Sequence, residues 1–406
     1  MKKLNLFATA AIVAMTGCTQ SESFDGLLTQ DLEISFDAFS GNATKTKVGF
    51  ATGKITDASF KFASVAFYTE ESDAWINENG KTTGTPWDGI DSLGTQWLRF
   101  TDIKAVKDNN NNKIVSFKSD TKAYWPKKGY LNFFSWYPSD VKNVSMSKGA
   151  LKIADYKVVA AANQDLMVAD PALGLFRTDD DANYTPTDAD YSGVKTMFRH
   201  KLTKIGVEAK VKDLGEESNL EKFEVTIKKV EIESVAYKGT FQGVAVATDS
   251  NNKGEWTVDT TSAKRTNYNF PINETPVKVV YPYTNDDPYY VSAVDDQIML
   301  LPQTRIEMGP NAVLKLTCDL EYTVKGATKP IVEKDYVYQT TISDLQWNET
   351  EQKWEEKPQQ QGGPKYLDWG INQYIIYRLV LGLDEIEWAP VVMDWETEYV
   401  EPIDVQ

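Results

Sequence analysis

Few residues in this chain are suited to covalent or metal chemistry, because its 406 residues include two cysteines and one histidine. Cys318 and His200 could form a thiolate–imidazole nucleophile, or His200 could serve a Ser-His-Asp triad. The sequence contains no GxSxG nucleophile motif, and zinc normally takes several His or Cys ligands. We therefore predict that the protein is not an enzyme and that His200 is a structural residue at the edge of a strand.

Cys318 has a second interpretation in the segment "AVLKLTCDLEYTV" (312–324). Apolar and polar residues alternate along this segment, which is typical of a half-buried strand. The cysteine falls on the apolar side of the alternation, so we predict that Cys318 is a small core residue.

Cys18 ends a segment that resembles the signal of bacterial lipoproteins. Lys2 and Lys3 precede a short apolar run, and the run ends in "AMTGC". This order predicts a signal peptide at 1–17, acylation of Cys18 and a polar tether at 18–31. The alternative is an ordinary secretory signal with an incidental cysteine. No later stretch is long and apolar enough to span a bilayer.

Acidic residues dominate the charge, with a net value of −16, and this argues against nucleic acid as a partner. One spacing resembles a calcium loop, although Tyr184 stands where the turn needs glycine. Its ligands would be Asp179, Asp181, Asn183 and Asp190. A solvated acidic linker explains the same residues, so we predict no metal. We also predict no cofactor, and no motif supports a hydrolase that uses paired carboxylates.

Short alternating segments separated by turn residues predict an all-β protein built of sandwiches. The tips of two hairpins are expected at 108–113 and 249–255, and a change of parity at Lys229 predicts a β-bulge. The segment 156–167 is the best candidate for a short helix. An acidic stretch at 177–193 suggests one domain at 32–190 and a second at 191–406. We expect the polar stretch at 348–365 to be a long exposed loop.

The segment "AYWPKKGYLNFFSWYP" (123–138) is unusually aromatic. Its aromatic residues could form a sugar-binding surface, but large residues on both faces of one strand are more typical of a central strand that is covered on both sides. We favour the central strand. Sugar binding elsewhere would need exposed aromatic residues in loops, for which Trp75, Trp87 and Trp97 are the candidates.

Three segments in order resemble the fimbrillin-like (Mfa-like) lipoproteins of type V pili. They are the aromatic segment above, "MFRHKLTKIGVEAKV" (197–211), and "WGINQYIIYRLVLGLDEIEWAPVVMDWE" (369–396). The resemblance implies two tandem transthyretin-like (Greek-key) β-sandwich domains after a lipoprotein signal peptide. It also implies export to the outer membrane and a role in surface fimbriae that support adhesion, as shaft, anchor or tip.

The resemblance further implies assembly by β-strand addition. In polymerising relatives a protease cuts after a basic residue near the first strand, and a strand from a neighbouring subunit fills the groove that is left. Lys45 and Lys47 are the basic residues at this position, whereas the relatives usually have arginine. The candidate donor residues are Val391, Met393 and Trp395, which could equally belong to the last strand of the second domain.

The sequence therefore predicts a non-enzymatic surface lipoprotein that is a fimbrial subunit or its anchor. Its partners would be other fimbrial subunits, as a homo- or heteropolymer, and the outer membrane through the lipid. The alternative is an outer-membrane lipoprotein that binds glycans or nutrients.

Overall fold

The structure of the chain is a computed structural model. It describes residues 28–40, 54–69, 95–126, 129–147, 150–159, 164–175, 193–215, 218–244, 253–272, 276–282, 290–294, 297–358, 366–383 and 386–395. Within these residues the protein is nearly all β, as predicted. No helix in these ranges is long and apolar enough to cross a membrane.

The strands of the first half are β1 (Leu28–Glu33), β2 (Phe36–Ser40), β3 (Lys61–Thr69), β4 (Thr95–Lys107), β5 (Ile114–Lys118), β6 (Tyr124–Pro126), β7 (Tyr130–Tyr137), β8 (Val144–Ser147), β9 (Ala150–Lys157), β10 (Met167–Ala169), β11 (Ala172–Leu175) and β12 (Val194–His200).

The second half contains β13 (Thr203–Val211), β14 (Leu220–Ala236), β15 (Lys238–Gln242), β16 (Glu255–Val258), β17 (Arg265–Asn269), β18 (Val277–Tyr281), β19 (Val291–Ser292), β20 (Ile298–Leu300), the one-turn helix α1 (Arg305–Met308), β21 (Val313–Val324), β22 (Ile331–Thr341), β23 (Leu345–Asn348), β24 (Lys353–Glu356), β25 (Gln373–Leu381) and β26 (Ile386–Asp394).

The first sheet closes on itself. Its order is β10-β12-β2-β5-β4-β3-β7-β11, and β10 also pairs with β7. All of these pairs are antiparallel except β12 with β2, which is parallel. The closed ladder surrounds a core that is rich in phenylalanine, and it leaves few unpaired edges.

Strand β7 is the aromatic strand of the sequence, and both of its faces are buried. Leu131 and Phe133 belong to the core of the first sheet, whereas Phe134 and Trp136 belong to the larger second core. Each of these four side chains is at most 2% exposed. The prediction of a central covered strand is confirmed, because every residue of β7 between its two terminal tyrosines is buried.

Two sheets of the second half form a sandwich. One has the order β19-β13-β25-β26, and the other has the order β17-β14-β21-β22. Alternating side chains of both sheets meet in one core, for example Val207 of β13, Val225 of β14 and Leu379 of β25. The alternation read from the sequence therefore places one face of each strand inward.

The sheets do not divide at residue 190. β12 lies beyond that position, yet it pairs with β2 and β10, and its Phe198 is fully buried in the first core. A four-stranded sheet, β16-β15-β9-β8, also joins strands of both halves. The sequence suggests a domain boundary between 190 and 191 because acidic residues cluster there. Such a cluster carries no information about which strands pair.

Several local predictions are confirmed. The register of β14 on β21 shifts between Ile227 and Lys229, as a bulge requires. The polar segment at 108–113 connects β4 and β5, which pair antiparallel. The predicted tip at 249–255 lies mostly outside the described residues, although β15 and β16 on either side of it pair antiparallel.

Two local predictions are wrong. Tyr156 and Lys157 end β9, and Met167 begins β10, so the described ends of 156–167 are not helical. The stretch at 348–365 includes β24, which pairs with β23 as a hairpin. The sequence did not predict this hairpin, because each of its strands is only four residues long and polar residues surround them.

Cys318 is buried in the second core, as predicted. Burial raises the pKa of its thiol to about 12, so it remains protonated near neutral pH. In a Cys18→Ser variant we expect a thiol reagent to label Cys318 only after unfolding, measured by mass spectrometry with and without denaturant. Rapid labelling of the folded chain would contradict the burial of this residue.

Candidate functional site

The strand β2 is held mainly by one neighbour. Five residue pairs join it in parallel to β12, from Val194 opposite Phe36 to Phe198 opposite Ser40. On its other side, β5 contributes the single pair between Phe36 and Phe117. Preceding it, β1 has the short strand β6 as its one partner among the described strands. Strand β2 is thus inserted into a sheet whose other members pair extensively with one another, whereas β1 belongs to a separate two-stranded sheet.

The inward side chains of this segment fill an aromatic slot. Ile34, Phe36 and Ala38 are all at most 3% exposed. The Phe36 ring makes edge-to-face contacts at 5.4–5.7 Å between ring centroids. Its partners in these contacts are Phe62, Phe100 and Phe133. An unpaired sheet edge beside an apolar slot is the arrangement that accepts a strand from another chain.

The chain returns to β2 after the stretch 41–53. Lys54 forms a bridge with Phe39, and the amide of Ile55 donates to the carbonyl of Ala38. Lys54 Nζ also lies 3.2 Å from a carboxylate oxygen of Asp37, which is buried. Lys45 and Lys47 lie between β2 and this return, outside the described residues. In the order of the chain, a cut at either lysine separates β2 from Lys54.

The candidate donor residues lie in and just after β26. This strand pairs with β25 along its whole length, and Val391 and Met393 stand opposite Ile376 and Tyr374. Both are half-buried. Donation to another copy would therefore require these residues to leave an existing ladder, and their donor role stays a prediction.

Trp395 follows β26 and stacks on His200. The two ring centroids are 4.3 Å apart, and the planes differ by 7°. His200 Nδ1 lies 2.5 Å from a carboxylate oxygen of Asp165, and both of these side chains are 13% exposed. Lys204 Nζ lies 5.8 Å from the Trp395 ring. His200 is the last residue of β12, so its predicted position at the edge of a strand is confirmed.

This contact fixes the end of β26 against the end of β12. We expect Trp395→Ala to speed amide exchange at the end of β26 roughly two- to tenfold, because an aromatic pair contributes about 0.5–1.5 kcal/mol. Hydrogen exchange with mass spectrometry measures the effect, and Trp354→Ala serves as the control at an exposed tryptophan of another sheet. Unchanged exchange in the Trp395 variant would show that the stacked pair does not hold this end.

Several predicted site residues fall outside the described residues. They are Cys18, Lys45, Lys47, Trp75, Trp87, Asp179, Asp181, Asn183 and Asp190. Trp97 lies in β4, but its side chain is not described. Where the structure does describe the chain, no group of three or more His, Cys, Asp and Glu side chains could hold a metal ion.

Three features of this site were missed by reasoning from sequence. The parallel pairing of β2 with β12 joins segments that lie more than 150 residues apart in the chain. Nothing in the sequence of either segment indicates its partner. Trp395 and His200 are also far apart in the sequence, so their contact was not predicted. The alternation of residues did identify Trp395, but as a candidate donor residue. The phenylalanines that surround Phe36 come from β3, β4 and β7, and their convergence was equally not indicated by the sequence.

Comparison with known proteins gives one family and several solved structures. A family model described as fimbrillin-like matches residues 81–355. A fimbrial protein from Bacteroides vulgatus is 15% identical, with a TM-score of 0.47, over 89% of this chain and 99% of that one. The tip fimbrial protein Mfa3 from Porphyromonas gingivalis, with a C-terminal truncation, is 10% identical, with a TM-score of 0.30, over 89% and 100%. No curated protein matches the chain.

Proposed function

The chain belongs to the fimbrillin-like family, and from this premise we propose that it is a lipid-anchored fimbrial subunit, or the anchor of a fimbria, that assembles by β-strand addition. The family supports a role at the cell surface in structural assembly. Recognition between copies would use backbone hydrogen bonds for affinity and alternating side chains for register.

The observation that carries the proposal is the position of β2. It lies between β12 and β5, and its Phe36 fills the slot formed by three other phenylalanines. If β2 leaves, the backbone of β12 loses five partners and the slot opens to water. Both losses favour capture of a strand from another copy, because unpaired edges and exposed apolar surface are unfavourable.

Processing at Lys45 or Lys47 would decide between two states. An uncut chain keeps β2 and the acylated Cys18, and it acts as an anchor. Several acyl chains hold a protein on a bilayer, since each buried methylene contributes about 0.8 kcal/mol. A cut chain loses the lipid and, when β1 and β2 dissociate, gains an acceptor groove. A protease that cuts after lysine is needed, because the first arginine is Arg99.

Val391, Met393 and Trp395 are the proposed donor residues. Val391 and Met393 alternate on β26, Trp395 stands at the next alternate position just beyond it, and Val392 is 45% exposed. Donation requires the end of β26 to separate from β25 and Trp395 to leave His200. The released strand would then place alternate side chains in the slot of the next copy.

The partners proposed are other fimbrial subunits and the outer membrane, with no nucleic acid and no cofactor. The alternative function is that of an outer-membrane lipoprotein that binds glycans or nutrients. The anchor would be common to both functions, whereas cleavage after Lys45 or Lys47 belongs to fimbrial assembly alone.

Mass spectrometry of the amino terminus tests this proposal. The protein should be recovered from outer membranes with an acylated Cys18, or from sheared fimbriae with an end that follows Lys45 or Lys47. A Cys18→Ser variant should lose membrane retention. Recovery of the chain in the cytoplasm with Met1 intact would exclude both states.

A further inference from the structure

The hairpin of β23 and β24 exposes a pair of tryptophans. Trp347 and Trp354 are directly opposite each other in the ladder, and they are 40% and 39% exposed. Their ring centroids are 5.4 Å apart, with planes at 65°. Neither ring joins the two hydrophobic cores formed by the described residues. Tryptophan is large and apolar, so a pair of rings that contributes to no core suggests a contact with something else.

The base of the hairpin is fixed to the body of the protein. Residues that are opposite or two apart share a face, so Leu345 and Glu356 lie on the same face as the tryptophans. Leu345 is buried, and Glu356 forms an ion pair with Arg305 of α1. The tryptophans are therefore presented on a supported surface, which lowers the entropy that a ligand would have to remove.

The Arg305–Glu356 pair places a carboxylate beside the rings. The Glu356 side chain is 39% exposed, whereas Arg305 is 7% exposed and binds it through Nη2. Glu356 follows Trp354 by two residues, so their Cα atoms are about 7 Å apart along the strand. Arg305 Nη1 is buried and has no hydrogen-bond partner in the described part of the chain. A buried donor of this kind is usually satisfied by water or a ligand.

The size of this surface favours a small ligand over a protein. Taking about 250 Å² for a tryptophan side chain, the two rings expose roughly 100 Å² each. A stable protein interface buries about 800 Å² on each partner. A six-membered sugar ring is of the right size. It has an apolar C–H face for the indole and hydroxyl groups for a carboxylate.

We propose that the face formed by Trp347, Trp354 and Glu356 binds a sugar ring of a neutral glycan. The C–H face of the sugar packs on an indole, and the Glu356 carboxylate accepts hydrogen bonds from sugar hydroxyls. Arg305 orients the carboxylate through their ion pair. This site is separate from β2 and would act in a cut or an uncut chain.

Calorimetric titration with cellohexaose, mannohexaose and chitohexaose tests the proposal on the Cys18→Ser chain. We expect at least one of these probes to bind at millimolar concentration or below. Trp347→Leu and Trp354→Leu keep apolar bulk but remove the flat ring, and each should weaken binding about tenfold. Glu356→Gln should weaken it several-fold, whereas Glu355→Gln, on the opposite face, is the matched control and should leave it unchanged.

Trp354→Tyr retains a flat ring on the same backbone, so it shows whether weaker binding in Trp354→Leu comes from the missing ring or from misfolding of the hairpin. It should recover most of the affinity that Trp354→Leu loses. The proposal is overturned if none of the three probes binds the parent chain. It is also overturned if either leucine variant binds as tightly as the parent chain, or if tyrosine gives no recovery.

Discussion

Replacing Phe36 with alanine is expected to lower the free energy of unfolding of the uncut chain by about 3–5 kcal/mol. The side chain is fully buried, and its ring contacts three other phenylalanines edge to face. Alanine would remove these contacts and leave a cavity that a closed sheet cannot easily collapse around. Urea denaturation followed by circular dichroism measures the change.

Val115→Ala is the matched control for Phe36→Ala. Val115 lies in β5 of the same sheet and is 48% exposed, so its truncation should change stability by about 0.5 kcal/mol or less. A loss below about 1 kcal/mol for Phe36→Ala would mean that β2 is not an integral part of the first core. In that case its removal would leave no groove, and strand addition at this place would lose its physical basis.

Lys201→Met is expected to stabilise the protein by about 1–4 kcal/mol at pH 7. Lys201 connects β12 to β13 and is 3% exposed. Its Nζ atom donates a hydrogen bond to the backbone carbonyl oxygen of Lys253 at 3.3 Å and lies 5.5 Å from the centroid of the Phe241 ring. Burial lowers its pKa to about 7, although the nearby Asp170 opposes this shift and Arg199 adds to it.

The pH dependence of stability distinguishes the removal of a buried charge at Lys201 from a simple gain in packing. Above about pH 7 the unfolded state, with an ordinary lysine pKa of 10.5, holds a proton that the folded state releases. Stability due to Lys201 therefore rises with pH, by about 2 kcal/mol between pH 7 and 9, and is constant below about pH 6.

The difference in unfolding free energy between Lys201→Met and the parent chain should therefore shrink as the pH rises from 7 to 9. Chemical denaturation at several pH values measures it. Lys329→Met, at an exposed lysine, should show no such trend. A difference that stays constant with pH would mean that Lys201 keeps its proton in the folded state.

Local patterns in the sequence predicted much of the fold. Alternation located β21, and the change of parity at Lys229 located the bulge in β14, because both depend only on which side chains face inward. The segment around Phe133 and Phe134 was predicted as a covered strand for the same reason.

The partners of strands could not be predicted in this way. Phe198 of β12 was assigned to the second domain from its place in the chain, yet it packs in the first core. The pairing of β2 with β12 depends on the closure of a sheet over a long sequence separation. Trp354 lay in the stretch interpreted as a loop, because polar turn residues between short strands resemble a solvated linker, and Trp347 directly precedes that stretch.

The most direct test of strand addition compares the Cys18→Ser chain from residue 18 onward with a chain that begins after Lys47. Light scattering after size-exclusion chromatography should find the longer chain monomeric and the shorter one in linear oligomers. An excess of a peptide with the sequence of Leu28–Ser40 should return the shorter chain to monomers by occupying the groove. A shorter chain that remains a folded monomer without the peptide, with the same denaturation midpoint as the longer one, would contradict the account.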